Sequence, residues 1–112
     1  TIYLFTFSVF FIIIVIIIFQ RRLHMFRLWG KIMHENHLIK DMVYENSSPD
    51  MTRTKKVFDG LHNICMEFDL AEPIWLDKNI AEFKRMDKTR FHADNFIETI
   101  DFDYLEIHVI EE

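Results

Sequence analysis

Phe26-Arg27-Leu28-Trp29-Gly30-Lys31-Ile32-Met33-His34 is followed, after a short polar break, by Leu38-Ile39-Lys40-Asp41-Met42-Val43-Tyr44-Glu45. In the first stretch Phe26, Leu28, Gly30 and Ile32 alternate with Arg27, Trp29, Lys31 and Met33. That is the period-two pattern of a strand with one buried face. In the second, Ile39 and Val43 face one way, and Leu38, Met42 and Tyr44 the other. His34-Glu35-Asn36-His37 between them reads as a four-residue turn, so the two stretches predict a β-hairpin. Gly30 within a strand signals a bulge or the close approach of another part of the chain.

Toward the N-terminus the chain changes character. Ile2 to Phe19 holds eighteen residues without charge, Pro or Gly, and fifteen of them are Ile, Phe, Val or Leu. As a helix this run would extend about 27 Å, close to the roughly 30 Å hydrocarbon core of a bilayer. On an insertion scale its apolar side chains sum to about −5 to −9 kcal/mol. The reading is a transmembrane anchor, with Ile2, Phe5, Phe10, Ile13, Ile16 and Phe19 toward lipid and Arg21 and Arg22 at the boundary. A secretory signal peptide fits poorly, because no basic region precedes the run and no small-residue cleavage site follows. The cations Arg21, Arg22, Arg27 and Lys31 all lie on the C-terminal side. The positive-inside rule then gives a single-pass plasma (inner) membrane protein with its C-terminal domain in the cytoplasm. The alternative is translation from Met25, which would leave a cytoplasmic domain of 88 residues. It is supported by charge, since residues 25–112 carry 11 Lys+Arg against 18 Asp+Glu and an anionic leaflet repels such a domain.

Toward the C-terminus, Ser48 with Pro49, or Asp50, predicts a helix start. Val57, Leu61, Ile64 and Phe68 form its apolar stripe, with Phe58 and Cys65 beside it. Gly60 in mid-helix costs about 1 kcal/mol relative to Ala and points to tight packing. After Pro73 and the apolar Ile74-Trp75-Leu76, a second short helix runs from Asp77 to about Met86. Phe91, Phe96 and Ile97 then fall in a polar, irregular stretch. Phe102 to Ile110 alternates cleanly, with Leu105, Ile107 and Val109 on one side and Tyr104, Glu106, His108 and Ile110 on the other. The expected architecture is α+β: a transmembrane helix and basic segment over residues 1–24, then a ββααβ domain over 25–112. That domain has three antiparallel strands with two helices on one face.

Pro73-Ile74-Trp75-Leu76, Lys88-Thr89-Arg90-Phe91, Asp94-Asn95-Phe96 and Ile100-Asp101-Phe102-Asp103-Tyr104-Leu105-Glu106 resemble an uncharacterised family of small proteins from anaerobic Gram-positive bacteria. The resemblance covers about residues 25–112. It implies a domain boundary and no chemistry.

Lys84, Arg85, Lys88 and Arg90 are the one basic cluster in an acidic domain, a candidate anion or partner site. The plain alternative is cations offsetting a helix dipole. Trp29, Met33, Met42 and Tyr44 are a candidate interaction patch if they share the sheet face away from the helices. His92, Asp94, Asp101 and Asp103, or His34 and His37, have metal-ligand chemistry but no recognised metal spacing, so no metal or cofactor is expected. Cys65 reads as a small core hydrophobe. No catalytic motif and no small-molecule substrate is identified, and the acidic balance argues against nucleic acid. The expected function is a non-enzymatic protein-interaction module tethered to a membrane, binding lipid through residues 2–19 and a protein partner or itself. The alternative is a domain that starts at Met25 and binds nucleic acid or another anionic ligand through the basic cluster.

Overall fold

The computed structural model describes residues 9–16 and 25–112. Residues 9–16 are helical (α1). The hairpin strands β1 (Phe26–His34) and β2 (His37–Asn46) come next, then helices α2 (Arg53–Glu67) and α3 (Asp77–Met86). Strand β3 (Lys88–Phe91), a 3-10 turn (Ala93–Asn95) and strand β4 (Tyr104–Glu111) complete the order. The strands lie β2-β1-β4-β3 with antiparallel neighbours throughout.

Two expectations are overturned. Among the described residues no helix is long and apolar enough to cross a membrane. The transmembrane anchor, and with it the single-pass inner-membrane topology, is therefore contradicted. Of its predicted residues Phe10, Ile13 and Ile16 lie in α1, where they are exposed. Ile2, Phe5, Phe19, Arg21 and Arg22 lie outside the described residues. The sheet, moreover, has four strands and not three. The missed strand, Lys88–Phe91, is only four residues long, too short to show periodicity. It nevertheless turns Thr89 and Phe91 inward to zero exposure and pairs along β4 from Lys88↔His108 to Phe91↔Leu105.

Element boundaries shift for local reasons. The hairpin closes through two residues, Glu35 and Asn36, with φ of 51° and 64°. Left-handed backbone at both positions matches the strand twist better than the four-residue loop expected. Helix α2 starts later than Ser48 or Asp50. Those residues are engaged in the preceding loop, where the Ser48 N–H donates to Asn46 Oδ1 at 2.8 Å. Thr52 is the cap instead, its hydroxyl accepting from the Lys55 N–H at 3.2 Å.

Helices α2 and α3 cover one face of the sheet. Phe26, Leu28 and Ile32 of β1 and Leu105, Ile107 and Val109 of β4 meet Val57, Leu61, Ile64 and Phe68 in a single core. The two glycines set how closely α2 approaches. A Cβ on Gly30 would stand 2.7 Å from Ile64 Cγ2, and one on Gly60 would stand 2.8 Å from both Leu28 Cδ2 and Tyr44 Cδ1. The signal at Gly30 is thus close approach, and the bulge lies further on, between Ile32 and Met33. Because Ile64 is fully buried it has little room to yield, so Gly30→Ala is expected to destabilise by about 1–3 kcal/mol through overpacking. Urea unfolding checks this, and an unchanged midpoint would show that α2 slides freely on the sheet.

Candidate functional site

The sheet face away from the helices is organised in rows across the strands. One row runs Asp41, Lys31, Glu106, Arg90, alternating in charge across all four strands. Lys31 Nζ lies 2.7 Å from one Glu106 oxygen, and Arg90 Nε donates to the other at 2.9 Å. The neighbouring row is Val43, Trp29, His108, Lys88. The Trp29 indole donates to Asp41 at 2.8 Å, with the Lys31 ammonium 4.1 Å from its ring centre. The Arg90 guanidinium lies 4.5 Å from the Tyr104 ring centre. Glu106 is only 5% exposed. Burial works to raise its pKa, but Lys31 and Arg90 outweigh that and hold it below the usual glutamate range. In return the Glu106 hydrogen bond raises the pKa of Arg90. The face is therefore internally neutralised.

This arrangement divides both predicted sites. Of the basic cluster, Lys88 and Arg90 are on the sheet face and Arg90 is committed to Glu106, whereas Lys84 and Arg85 occupy the last turn of α3. The predicted patch divides as well. Trp29 and Met33 are on the open face, but Tyr44 pairs with Leu28 and Met42 with Gly30, so both turn toward the helices. The Tyr44 ring meets Gly60, and its hydroxyl donates to Asp59. Burial first, and Asp59 second, raise its pKa.

Behind β3 lies a buried amide pair that the sequence reading passed over. Asn79 Nδ2 donates to Thr89 Oγ1 at 2.9 Å and to the Arg90 carbonyl at 3.0 Å. Its oxygen accepts from Asn95 Nδ2 at 2.7 Å and from the Leu76 N–H at 3.1 Å. Asn95 also donates to the Ile74 carbonyl at 2.8 Å. These bonds hold the Ile74-Trp75-Leu76 segment against α3 and β3. Trp75 packs edge-on to Phe91, Phe83 and Phe58, with centroids 5.1, 5.5 and 5.8 Å away.

Beside Trp75 the two helices leave an open cleft of about 260 Å³. Its walls are Val57 and Phe58 of α2 and Ile80 and Phe83 of α3, and Arg53 and Lys84 line it too. Phe58 is 53% and Ile80 41% exposed. Arg53 is occupied, bridging Asp87 at 2.7 Å and Glu112 at 2.6 Å. Among the described residues Lys84 makes no ion pair. The cleft was legible only as separate signals, namely Phe58 flanking the stripe, the Ile74-Trp75-Leu76 knot, and Lys84.

Two further grooves, of about 460 and 330 Å³, lie at the hairpin-turn end around Asp69, Leu70, Asp101 and Phe102. Their carboxylates do not converge on a metal position. Among the described residues no group of three or more His, Cys, Asp or Glu side chains could hold an ion. The predicted ligand candidates are dispersed. Asp94 pairs with Lys78 at 3.0 Å, which lowers its pKa, and Asp103 accepts from the Glu35 N–H at 2.8 Å. Burial pushes the Cys65 thiol up to about 12, the opposite of a nucleophile's need.

No family model, curated protein or solved structure matches the chain.

Two predictions follow from these contacts. A depressed folded-state pKa means that Glu106 stabilises the fold above about pH 4–5, and that this contribution is lost as pH falls through the folded value. Glu106→Gln is expected to lower stability at pH 7 by about 1–3 kcal/mol. It should also flatten the stability profile between about pH 5 and 3. Urea melts over that range measure both, and an equally steep profile would assign the acid sensitivity to other carboxylates. At Trp75 the buried indole N–H meets no acceptor among the described residues. Trp75→Phe is therefore expected to be tolerated far better than Trp75→Ala, which should cost about 3–5 kcal/mol. Equal losses in thermal melts would show that the N–H is engaged after all.

Proposed function

We propose that this domain is a protein-interaction module that docks on its partner through the α2–α3 cleft and performs no catalysis of its own. The observation that carries the reading is the exposure of Phe58 and Ile80 on the two walls of one cleft beside Trp75. Single exposed apolar residues are ordinary, but a cleft walled by them is the usual form of an interaction site. A photo-crosslinking residue in place of Phe58, introduced in the native host, is expected to give a discrete crosslinked product that disappears on adding Ile80→Asp. The same residue in place of Ile97, which is exposed outside the cleft, should give none. Equal products at both positions would overturn the reading.

A second reading, an anionic ligand at the basic cluster Lys84, Arg85, Lys88 and Arg90, of which Arg90 is already committed to Glu106, is favoured by one observation. The first three of these make no ion pair among the described residues. Salt-sensitive binding to heparin or single-stranded RNA that is lost in Lys84→Glu/Lys88→Glu is its expected result. No binding by the unmutated protein would end it.

A further inference from the structure

We infer that the segment seated in the α2–α3 cleft is an acidic peptide stretch of a partner protein. One apolar side chain of that stretch enters beside Trp75, and flanking carboxylates meet Lys84 and the first turn of α2. This inference rests on the docking reading above and specifies the partner's chemistry.

The first support is the charge around the cleft. Helix α2 opens with Arg53-Thr54-Lys55-Lys56 and has no acidic residue in its first turn. Cations there lie at the positive end of the helix dipole, where carboxylates are favoured by about 0.3–1 kcal/mol and like charge is disfavoured. Lys55 lies three residues before Phe58, hence beside it on the helix surface. Lys84, on α3, lines the opposite wall. Arg53 already has carboxylate partners, Asp87 and Glu112. Lys55 and Lys84 have none among the described residues, so an incoming acid would not have to displace an internal one.

The second support is the apolar wall between those cations. Phe58 and Ile80 are about half exposed and flank the Trp75 ring. A wholly polar anion would leave that surface wet. A neutral apolar segment would leave Lys55 and Lys84 without carboxylate partners. An acidic stretch with one large apolar side chain satisfies both.

The chain's overall charge of −5 does not oppose this contact. Screening at physiological salt acts over about 8 Å, so the field near the cleft is set by the nearest groups. The net negative charge elsewhere discourages the same segment from other surfaces, which helps specificity.

The test uses the full chain, immobilised, and a displayed library of random dodecapeptides. Recovered peptides are expected to be enriched in Asp and Glu around one aromatic or large aliphatic residue. Their affinity should fall about fivefold to tenfold in Lys84→Glu, and should weaken as NaCl is raised from about 0.05 to 0.5 M. Ile80→Asp, on an exposed position, should abolish binding without changing the melting temperature. Recovered peptides lacking acidic enrichment, or equal affinity for Lys84→Glu, would overturn the acidic partner and leave the cleft standing. Binding unaffected by Ile80→Asp, or no binder recovered by a protein with a native melt, would overturn the cleft itself. A dimer in sedimentation that Ile80→Asp dissolves would make the occupant a second copy, and the acidic partner would then be wrong.

Discussion

The paired amides of Asn79 and Asn95 hold together the half of the domain that carries the candidate site. Both side chains are almost entirely buried, and their oxygens and NH2 groups find partners on four separate segments. A buried amide left unpaired would cost about twice what one hydrogen bond contributes, so this cluster is stabilising only when its bonds are made together. That condition is what orients a four-residue edge strand, a 3-10 turn and an extended apolar segment that lack the length to order themselves. Trp75 is thereby held beside Phe58, and the cleft exists because α2 and α3 stand on either side of a ring that this cluster positions.

The other half of the domain is organised by close approach. Gly30 and Gly60 let α2 lie on the hairpin with Ile64 and Tyr44 filling the space where Cβ atoms would be. The outer face of the same sheet is closed by charge rather than by a layer of protein. Asp41, Lys31, Glu106 and Arg90 neutralise one another across four strands, and the Trp29 and Tyr104 rings each carry a cation. Such a face is stable against water without a covering layer. Most of the charged groups on that face are already paired, Lys88 excepted, and this turns attention to the helical side, where apolar surface is left open.

Much of the fold was legible. The hairpin, both helices after it and the last strand follow from alternation and from the stripe Val57, Leu61, Ile64, Phe68, because burial on one face imposes a period that ordinary residues reveal. Lys88–Phe91 escaped because four residues contain too few alternations to differ from a loop. The candidate site was legible only in fragments. Lys84 belonged to a cluster defined by proximity in sequence, which the α3-to-β3 turn splits between a helix surface and the opposite face of the sheet. Trp29 and Tyr44 stood on paired strands, yet the register opposes Trp29 to Val43 and sends Tyr44 to the helices. The apolar run at residues 2–19 had the composition of a membrane span. Among the described residues, however, no helix is long and apolar enough to cross a membrane.

By itself, then, the sequence determined the hairpin, the two helices after it, the last strand, and that the class is α+β, since these depend on local periodicity. Only the tertiary structure decided that Glu106 would be neutralised by Lys31 and Arg90, that Asn79 would meet Asn95, and that Phe58 and Ile80 would flank Trp75. Apart from the local approach of Ile80 to Trp75, each of those contacts joins residues 16 to 75 positions apart. Strand register and helix placement, which no local pattern encodes, are what bring them within reach.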